Sequence, residues 1–255
     1  MLQQTQAARV EPAYRQFLAR FPTIEALAAA PTAAVVEQWR GLGYNRRALN
    51  LQRTARAVVK VHGGQIPASL EQLLALPGVG PYTARALLGF AFEQPVAAVD
   101  VNAARVIQRA LAAENVSAGA RQDLADALVA ADPWPVAQAL IELGARHCTA
   151  RRPSCSDCPV LDSCAWQLAG VPEPDPAAVP PRSTHRFADS DRFHRGRLLD
   201  GLRDGPVTAD ALAVAARTDD ASRAQRLADA LVSEGLAEWS LGTLRLPESP
   251  PEGSM

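Results

Sequence analysis

The chain has 255 residues, 48% of them hydrophobic, and a formal net charge of −1, so it can bury a sizeable core and is not a uniformly basic nucleic-acid binder. No apolar run reaches the length of a membrane span, and no basic stretch followed by an apolar one opens the chain as a signal peptide would. Arginine is used heavily while Lys60 is the only lysine.

From Val10 to about Arg146 the pattern predicts a compact bundle of short helices. Apolar residues recur at helical spacing in Tyr14, Phe17, Leu18 and Phe21, then in Leu49, Leu51, Ala55, Val58 and Val59. Pro22-Thr23, Pro31-Thr32, Ser69 and Ser117 mark helix starts, and Gly41, Gly43 and Gly63-Gly64 mark stops. A stretch rich in Pro, Ala and acidic residues, 170–185, reads as a linker. Beyond it, Phe193–Leu202, Thr208–Ala216 and Ala221–Glu234 read as helices, and Ala237–Leu246 alternates around Gly242 as a hairpin. Three helices and a hairpin suggest a winged-helix-like module over 186–247, followed by a disordered tail, 248–255.

Three motifs carry chemistry. The first is the hairpin Leu76-Pro77-Gly78-Val79-Gly80-Pro81-Tyr82-Thr83-Ala84, in which two glycines turn the chain between helices. Gly78, Val79 and Gly80 would let a phosphate approach backbone N–H groups where the helix dipole favours an anion, and Pro81 suits the first helical position. The second is Val99-Asp100-Val101-Asn102-Ala103-Ala104-Arg105-Val106. Its Asp100 follows the hairpin by about one helix and one loop, as a helix N-cap, a catalytic carboxylate, or both. The third is the spacing Cys148-x6-Cys155-x2-Cys158-x5-Cys164. All four cysteines enclose one short loop, which disfavours disulfide staples; soft thiolates suit zinc or an iron–sulfur cluster. Only one C-x2-C pair occurs, so four ligands from a compact loop after a helix suit a cubane cluster better than two zinc knuckles. Arg151 and Arg152, between the first two cysteines, would contact phosphate or stay solvated. The segment from Arg40 to Lys60 holds Arg40, Arg46, Arg47, Arg53, Arg56 and Lys60 with no acidic residue, a local basic patch.

In this order the motifs resemble the helix–hairpin–helix base-excision DNA glycosylases with an iron–sulfur cluster, over roughly residues 1–169. The resemblance is nearest to the adenine glycosylase (MutY-type) branch, through Met1-Leu-Gln-Gln-Thr-Gln6, the segment from Arg20 to Leu27, Gly41-Leu-Gly-Tyr44 and Tyr82. It implies an all-α fold, with a helical barrel over 1–94, a helical cluster domain over 95–169 and a [4Fe-4S] cluster on the four cysteines. It also implies a monomeric, cytoplasmic, nucleoid-associated bacterial enzyme whose partner is double-stranded DNA with a mismatch or damaged base. Asp100 would stabilise the positive charge that develops on the sugar, with Asn102 positioning that chemistry. Gln3, Gln4 and Thr5 would fill the gap left by the flipped base and touch the opposite base. Tyr44 would wedge beside that base, or else pack in the core. Bifunctional lyases of the superfamily carry lysine where Tyr82 stands, so the expected reaction is monofunctional hydrolysis.

The expected substrate is adenine mispaired with guanine or 8-oxoguanine; a thymine or uracil mismatch glycosylase and a non-catalytic lesion-binding protein are the alternatives. The resemblance places a general-acid glutamate two residues before Met1, upstream of this chain. Val101 stands where the family has glycine, and the segment after Arg186 does not read as the MutT-like domain that recognises 8-oxoguanine.

Overall fold

A computed structural model describes residues 1–2, 5–170 and 187–248. Gln3, Gln4, the 170–185 linker beyond Gly170 and the tail beyond Glu248 lie outside the described residues. Helices dominate, and none of those described is long and apolar enough to cross a membrane.

The first helices are α1 (Ala7–Arg20), α2 (Ile24–Ala29), α3 (Thr32–Gln38) and α4 (Arg46–His62). Their boundaries follow the expected signals. Thr23 caps α2 by accepting from Ala26 N at 3.1 Å, and Gly63 ends α4 in a left-handed conformation at φ 59°. Phe17, Leu27, Val35, Trp39 and Ala55 form a buried cluster, with the Phe17 and Trp39 rings edge to face. Two polar side chains, Thr32 and Gln52, are buried beside it. Gln52 accepts from Thr32 Oγ1 at 3.0 Å and donates to the Ala30 carbonyl at 2.7 Å, so its burial leaves no unmet hydrogen bond on either amide atom.

The middle of the chain forms α5 (Leu70–Leu74), α6 (Pro81–Ala91), α7 (Val101–Val106), α8 (Ala118–Val129), α9 (Pro133–Arg146) and α10 (Ala165–Leu168). A π-helical stretch, Ile107–Ala112, continues α7. Ser69 precedes α5 without a side-chain cap, whereas Ser117 caps α8 through Ala120 N. Ala97, Ala103, Val106, Ile107, Ala125, Val129 and Leu140 form the core here.

The last described segment contains α11 (Asp191–Asp204), β1 (Val207–Thr208), α12 (Leu212–Ala216), α13 (Ala221–Ser233), β2 (Glu238–Ser240) and β3 (Thr243–Arg245). The three antiparallel strands run in the order β1-β3-β2. Helix, strand, two helices and a hairpin is the order of a winged helix. The expected helix over Thr208–Ala216 is shorter, because Thr208 belongs to β1 and Ala209–Ala211 is a 3-10 turn. The hairpin turns at Leu241 and Gly242, both with positive φ, matching the twist of its strands.

By contacts the chain divides into two compact units. One contains Met1–Ile66, Leu76–Gly78 and residues 187–248; the other contains Pro67–Ala75 and residues 79–170. Thus the winged-helix segment shares a unit with the first helices. Val36 and Leu49 join Leu198, Leu199, Leu202, Leu231 and Leu244 in one hydrophobic cluster.

Candidate functional site

Asp100 sits at the N-terminus of α7, and its carboxylate is the cap. Oδ1 accepts from the backbone N–H groups of Asn102 at 2.9 Å and Ala103 at 2.7 Å; Oδ2 accepts from the Asn102 amide nitrogen at 3.2 Å. These bonds fix where the charge sits. The approach to Asp100 is fixed too: Asp126 accepts from Ala97 N at 2.7 Å and pairs with Arg85 at 2.9 Å, while Gln122 donates to the Ala97 carbonyl. Tyr82, in the second position of α6, is 40% exposed. Partial burial, followed by the nearby negative charge of Asp100, pushes its phenol above the usual tyrosine value. Tyr82, Asp100 and Asn102 therefore share one neighbourhood. Val101 points to solvent, 78% exposed, so the extra side chain at this position does not enter the core.

From Asn102 the contacts lead onward to the cysteine loop. Arg105, one turn along α7, donates from Nη2 to Asn102 Oδ1 at 2.9 Å and to the Gly144 carbonyl at 2.7 Å, and from Nε to the Cys148 carbonyl at 2.5 Å. Gly144 is required by space: a Cβ there would lie 2.7 Å from the Asn102 carbonyl oxygen. Arg109, four residues after Arg105, stacks on Trp166 at 4.4 Å, donates to the Thr149 carbonyl at 2.8 Å and reaches Cys148 Sγ at 3.6 Å.

Cys148, Cys155, Cys158 and Cys164 form no disulfide, and all four line a single cavity with Val106, Arg109, Leu143 and Trp166 among its walls. An all-thiol donor set within mainly apolar walls, with a guanidinium beside one sulfur, fits a [4Fe-4S] cluster. Arg151 and Arg152 are exposed on this loop.

Of the two hairpin glycines, Gly78 has the backbone that requires glycine, while Gly80, at φ −90° with open space around it, does not. Gly78 is left-handed at φ 75°, and a Cβ on it would lie 2.5 Å from Asn50 Cβ. Gly80 is the N-cap of α6, with Pro81 in the first turn. Thr54 Oγ1 donates to the Pro77 carbonyl at 2.6 Å and anchors the turn from α4.

The loop from Gly41 to Asn45 has Gly41, Gly43 and Tyr44 all at positive φ, Tyr44 at 44°. A tyrosine in this region costs about 1–2 kcal/mol and needs support. Trp39 Nε1 donates to the Gly43 carbonyl, and Thr5 Oγ1 to the Leu42 carbonyl. Arg47 donates to the carbonyls of Met1, Leu42 and Gly43 and to Thr5 Oγ1. Burial lowers the Arg47 pKa. Those donors hold the loop, so Arg47 supports Tyr44 from within. Tyr44 itself is 42% exposed rather than packed away. The basic run is also partly used by the fold, since Arg40 pairs with Asp204, Arg46 approaches Glu234 at 3.8 Å and Arg56 donates to the Ala28 carbonyl.

Sequence reasoning passed over Arg105, Arg109 and Asp126. Arg105 had a signal, an arginine three residues after Asn102 on the same helical face. Asp126 had none, because only tertiary folding brings it to Ala97.

Residues 1–129 match the HhH-GPD superfamily of base excision DNA repair proteins, and residues 148–164 match the iron–sulfur binding domain of endonuclease III. The chain is 45% identical over 245 residues to an adenine DNA glycosylase of Mycobacterium tuberculosis, covering 91% of this chain and 79% of that one. It is 43% identical to an adenine DNA glycosylase of Mycolicibacterium smegmatis, over 93% and 81% of the two chains. Among solved structures, a thermostable thymine-DNA glycosylase superposes with a TM-score of 0.61 at 30% identity, covering 66% of this chain and 80% of that one. A trapped endonuclease III–DNA covalent intermediate superposes with a TM-score of 0.57 at 25% identity, covering 66% and 81%. The chain belongs to the HhH-GPD superfamily of base excision DNA repair proteins, as a DNA N-glycosylase with the iron–sulfur binding domain and a [4Fe-4S] cluster.

Proposed function

We propose that the chain hydrolyses the N-glycosidic bond of adenine mispaired with guanine or 8-oxoguanine in double-stranded DNA. The observation that carries this reading is the Asp100 carboxylate, fixed by two backbone N–H groups and the Asn102 amide, with a tyrosine rather than a lysine beside it. A positioned anion stabilises the oxocarbenium-like sugar as the base departs. With Tyr82 in the neighbourhood and the single lysine elsewhere in the sequence, water is the expected acceptor and no Schiff base forms. The identity to adenine DNA glycosylases over most of the chain supports adenine as the base.

In this reading Gly78, Val79, Gly80, Arg151 and Arg152 meet phosphates, Thr5 and Tyr44 meet the opposite strand, and Arg46 adds positive charge near them. The [4Fe-4S] cluster, held by Cys148, Cys155, Cys158 and Cys164, orders the loop that carries Arg151 and Arg152. Protonation of the departing base by a general acid would add about two to four powers of ten in rate.

A mismatch panel tests this. Base release is measured on duplexes carrying A·G, A·8-oxoG, T·G and U·G, with this chain, with an upstream-extended chain and with Asp100→Asn in both. Adenine release by the extended chain, lost in Asp100→Asn, is the expected result. The likeness to a thymine-DNA glycosylase favours a second reading, and release from T·G or U·G instead of the adenine duplexes would replace the first with it.

A further inference from the structure

Residues 187–248 contain no motif that the repair chemistry uses, yet they are bound firmly to the loop that presents Tyr44. Arg203, nearly buried, donates from Nε to the Val36 carbonyl at 3.1 Å and from Nη2 to Asn45 Oδ1 at 2.9 Å. Ala33 N donates to the Pro247 carbonyl at 2.9 Å. These contacts tie the end of α11 and the strand end at Pro247 to this region, and Arg192, at the start of α11, meets the Tyr44 ring itself.

The arginines of α11 divide into two kinds. Arg195 pairs with Glu234, and Arg197 and Arg203 both pair with Asp200. Among the described residues Arg192 pairs with no carboxylate. Its guanidinium carbon lies instead 4.1 Å from the Tyr44 ring centroid and 5.7 Å from that of Phe187. All three side chains are exposed, Tyr44 at 42% and Phe187 at 60%. A guanidinium stacked by its face keeps its in-plane N–H donors directed outward, in a fork that matches two oxygens of a phosphate. Stacking on an aromatic ring also spends beforehand part of the rotamer entropy that a free arginine would lose on binding.

We propose that Arg192, held by Tyr44 and Phe187, is a phosphate-binding residue for the DNA backbone, contributed by the winged-helix segment beside the Tyr44 loop. The site rests on the reading of the chain as a DNA-binding repair enzyme. It contributes affinity in any sequence and carries no base specificity. The winged helix engages DNA here through the first residues of α11 rather than through α13. Every arginine of α13 already has a partner: Arg223 pairs with Asp191, and Arg226 donates to Ser222 Oγ.

The test is duplex binding by the full chain, followed by fluorescence anisotropy on matched and A·G duplexes across a salt series from about 50 to 200 mM. Wild type is compared with Arg192→Gln, Arg192→Lys and Phe187→Ala, each checked by thermal melting. Arg192→Gln is expected to weaken binding about tenfold at the low-salt end and to reduce the slope of log K against log salt by about 0.9, equally on both duplexes. Phe187→Ala should weaken binding with the slope kept, because the charge remains. Arg192→Lys should restore the slope without the full affinity. An unchanged slope in Arg192→Gln overturns the site, whether or not its melting temperature falls, since a merely structural clamp would leave the count of neutralised phosphates as it was. No duplex binding by wild type would overturn the DNA reading and this site with it; binding by wild type with an indifferent Arg192→Gln overturns the site alone.

Discussion

Arg105 Nε lies 2.5 Å from the Cys148 carbonyl oxygen, while the same guanidinium holds Asn102 Oδ1 at 2.9 Å. One side chain thus ties the residue beside Asp100 to the first cysteine of the loop. Arg105→Ala removes donors from three acceptors at once, and about 2–4 kcal/mol of stability is expected to go with them. Arg105→Lys should rescue little, because an ammonium cannot reproduce the fork. Base release under single-turnover conditions, measured beside iron content per chain, should fall in both variants.

Asp100→Asn separates the cap from the charge. Asparagine is as good an N-cap as aspartate, so the melting temperature should correspond to a change of under about 1 kcal/mol. Base release should fall by about two to three powers of ten, the worth of a positioned charge in a transition state. Equal losses of stability and of rate would assign Asp100 to the fold alone.

Gly78→Ala meets two obstacles, the left-handed backbone and Asn50 Cβ at 2.5 Å. The expected cost is at least about 1–2 kcal/mol, read by denaturant unfolding. Any remaining folded protein should bind matched and mismatched duplexes with equally reduced affinity. Gly80→Ala has open space and no positive φ, so it should be much milder in unfolding experiments.

Burial and Asp100 raise the Tyr82 pKa above its ordinary value near 10. The folded chain therefore holds this proton more tightly than the unfolded chain does. Its share of stability is intact below pH about 10 and declines as pH rises through the folded value. Tyr82→Phe should flatten that alkaline decline in a melting series. Below pH 9 or so, the rate profile should show no inflection from Tyr82.

The motifs were legible because each depends on residues close in sequence. Gly78 and Gly80, Asp100 capping its own helix, and four cysteines within one short loop are local arrangements. Local cap and glycine signals likewise placed α2, α4 and α8. What stayed hidden was long-range. Nothing near Arg46 or Arg40 announces Glu234 or Asp204, so a run of arginines read as a bare basic patch is partly neutralised by the far end of the chain. Arg47 read as part of that basic patch, yet carbonyls of its own loop take donors from it, and a carbonyl leaves no side-chain signal in a sequence. The two-residue strand β1 was too short to show alternation.

Val36 and Leu49 sit in one cluster with Leu198, Leu199 and Leu244, and Arg203 meets Asn45 at a sequence separation of 158. Contacts so distant in sequence can close only late, when a ribosome has already delivered nearly the whole chain. The body built around α6 to α10 has its partners in hand earlier, and so can mature first. The Tyr44 loop, already held by Trp39, Thr5 and Arg47, then gains its Arg203 and Arg192 contacts as one of the last events of synthesis. A chain cut short in the linker would keep all four cysteines and lose the cation that covers Tyr44.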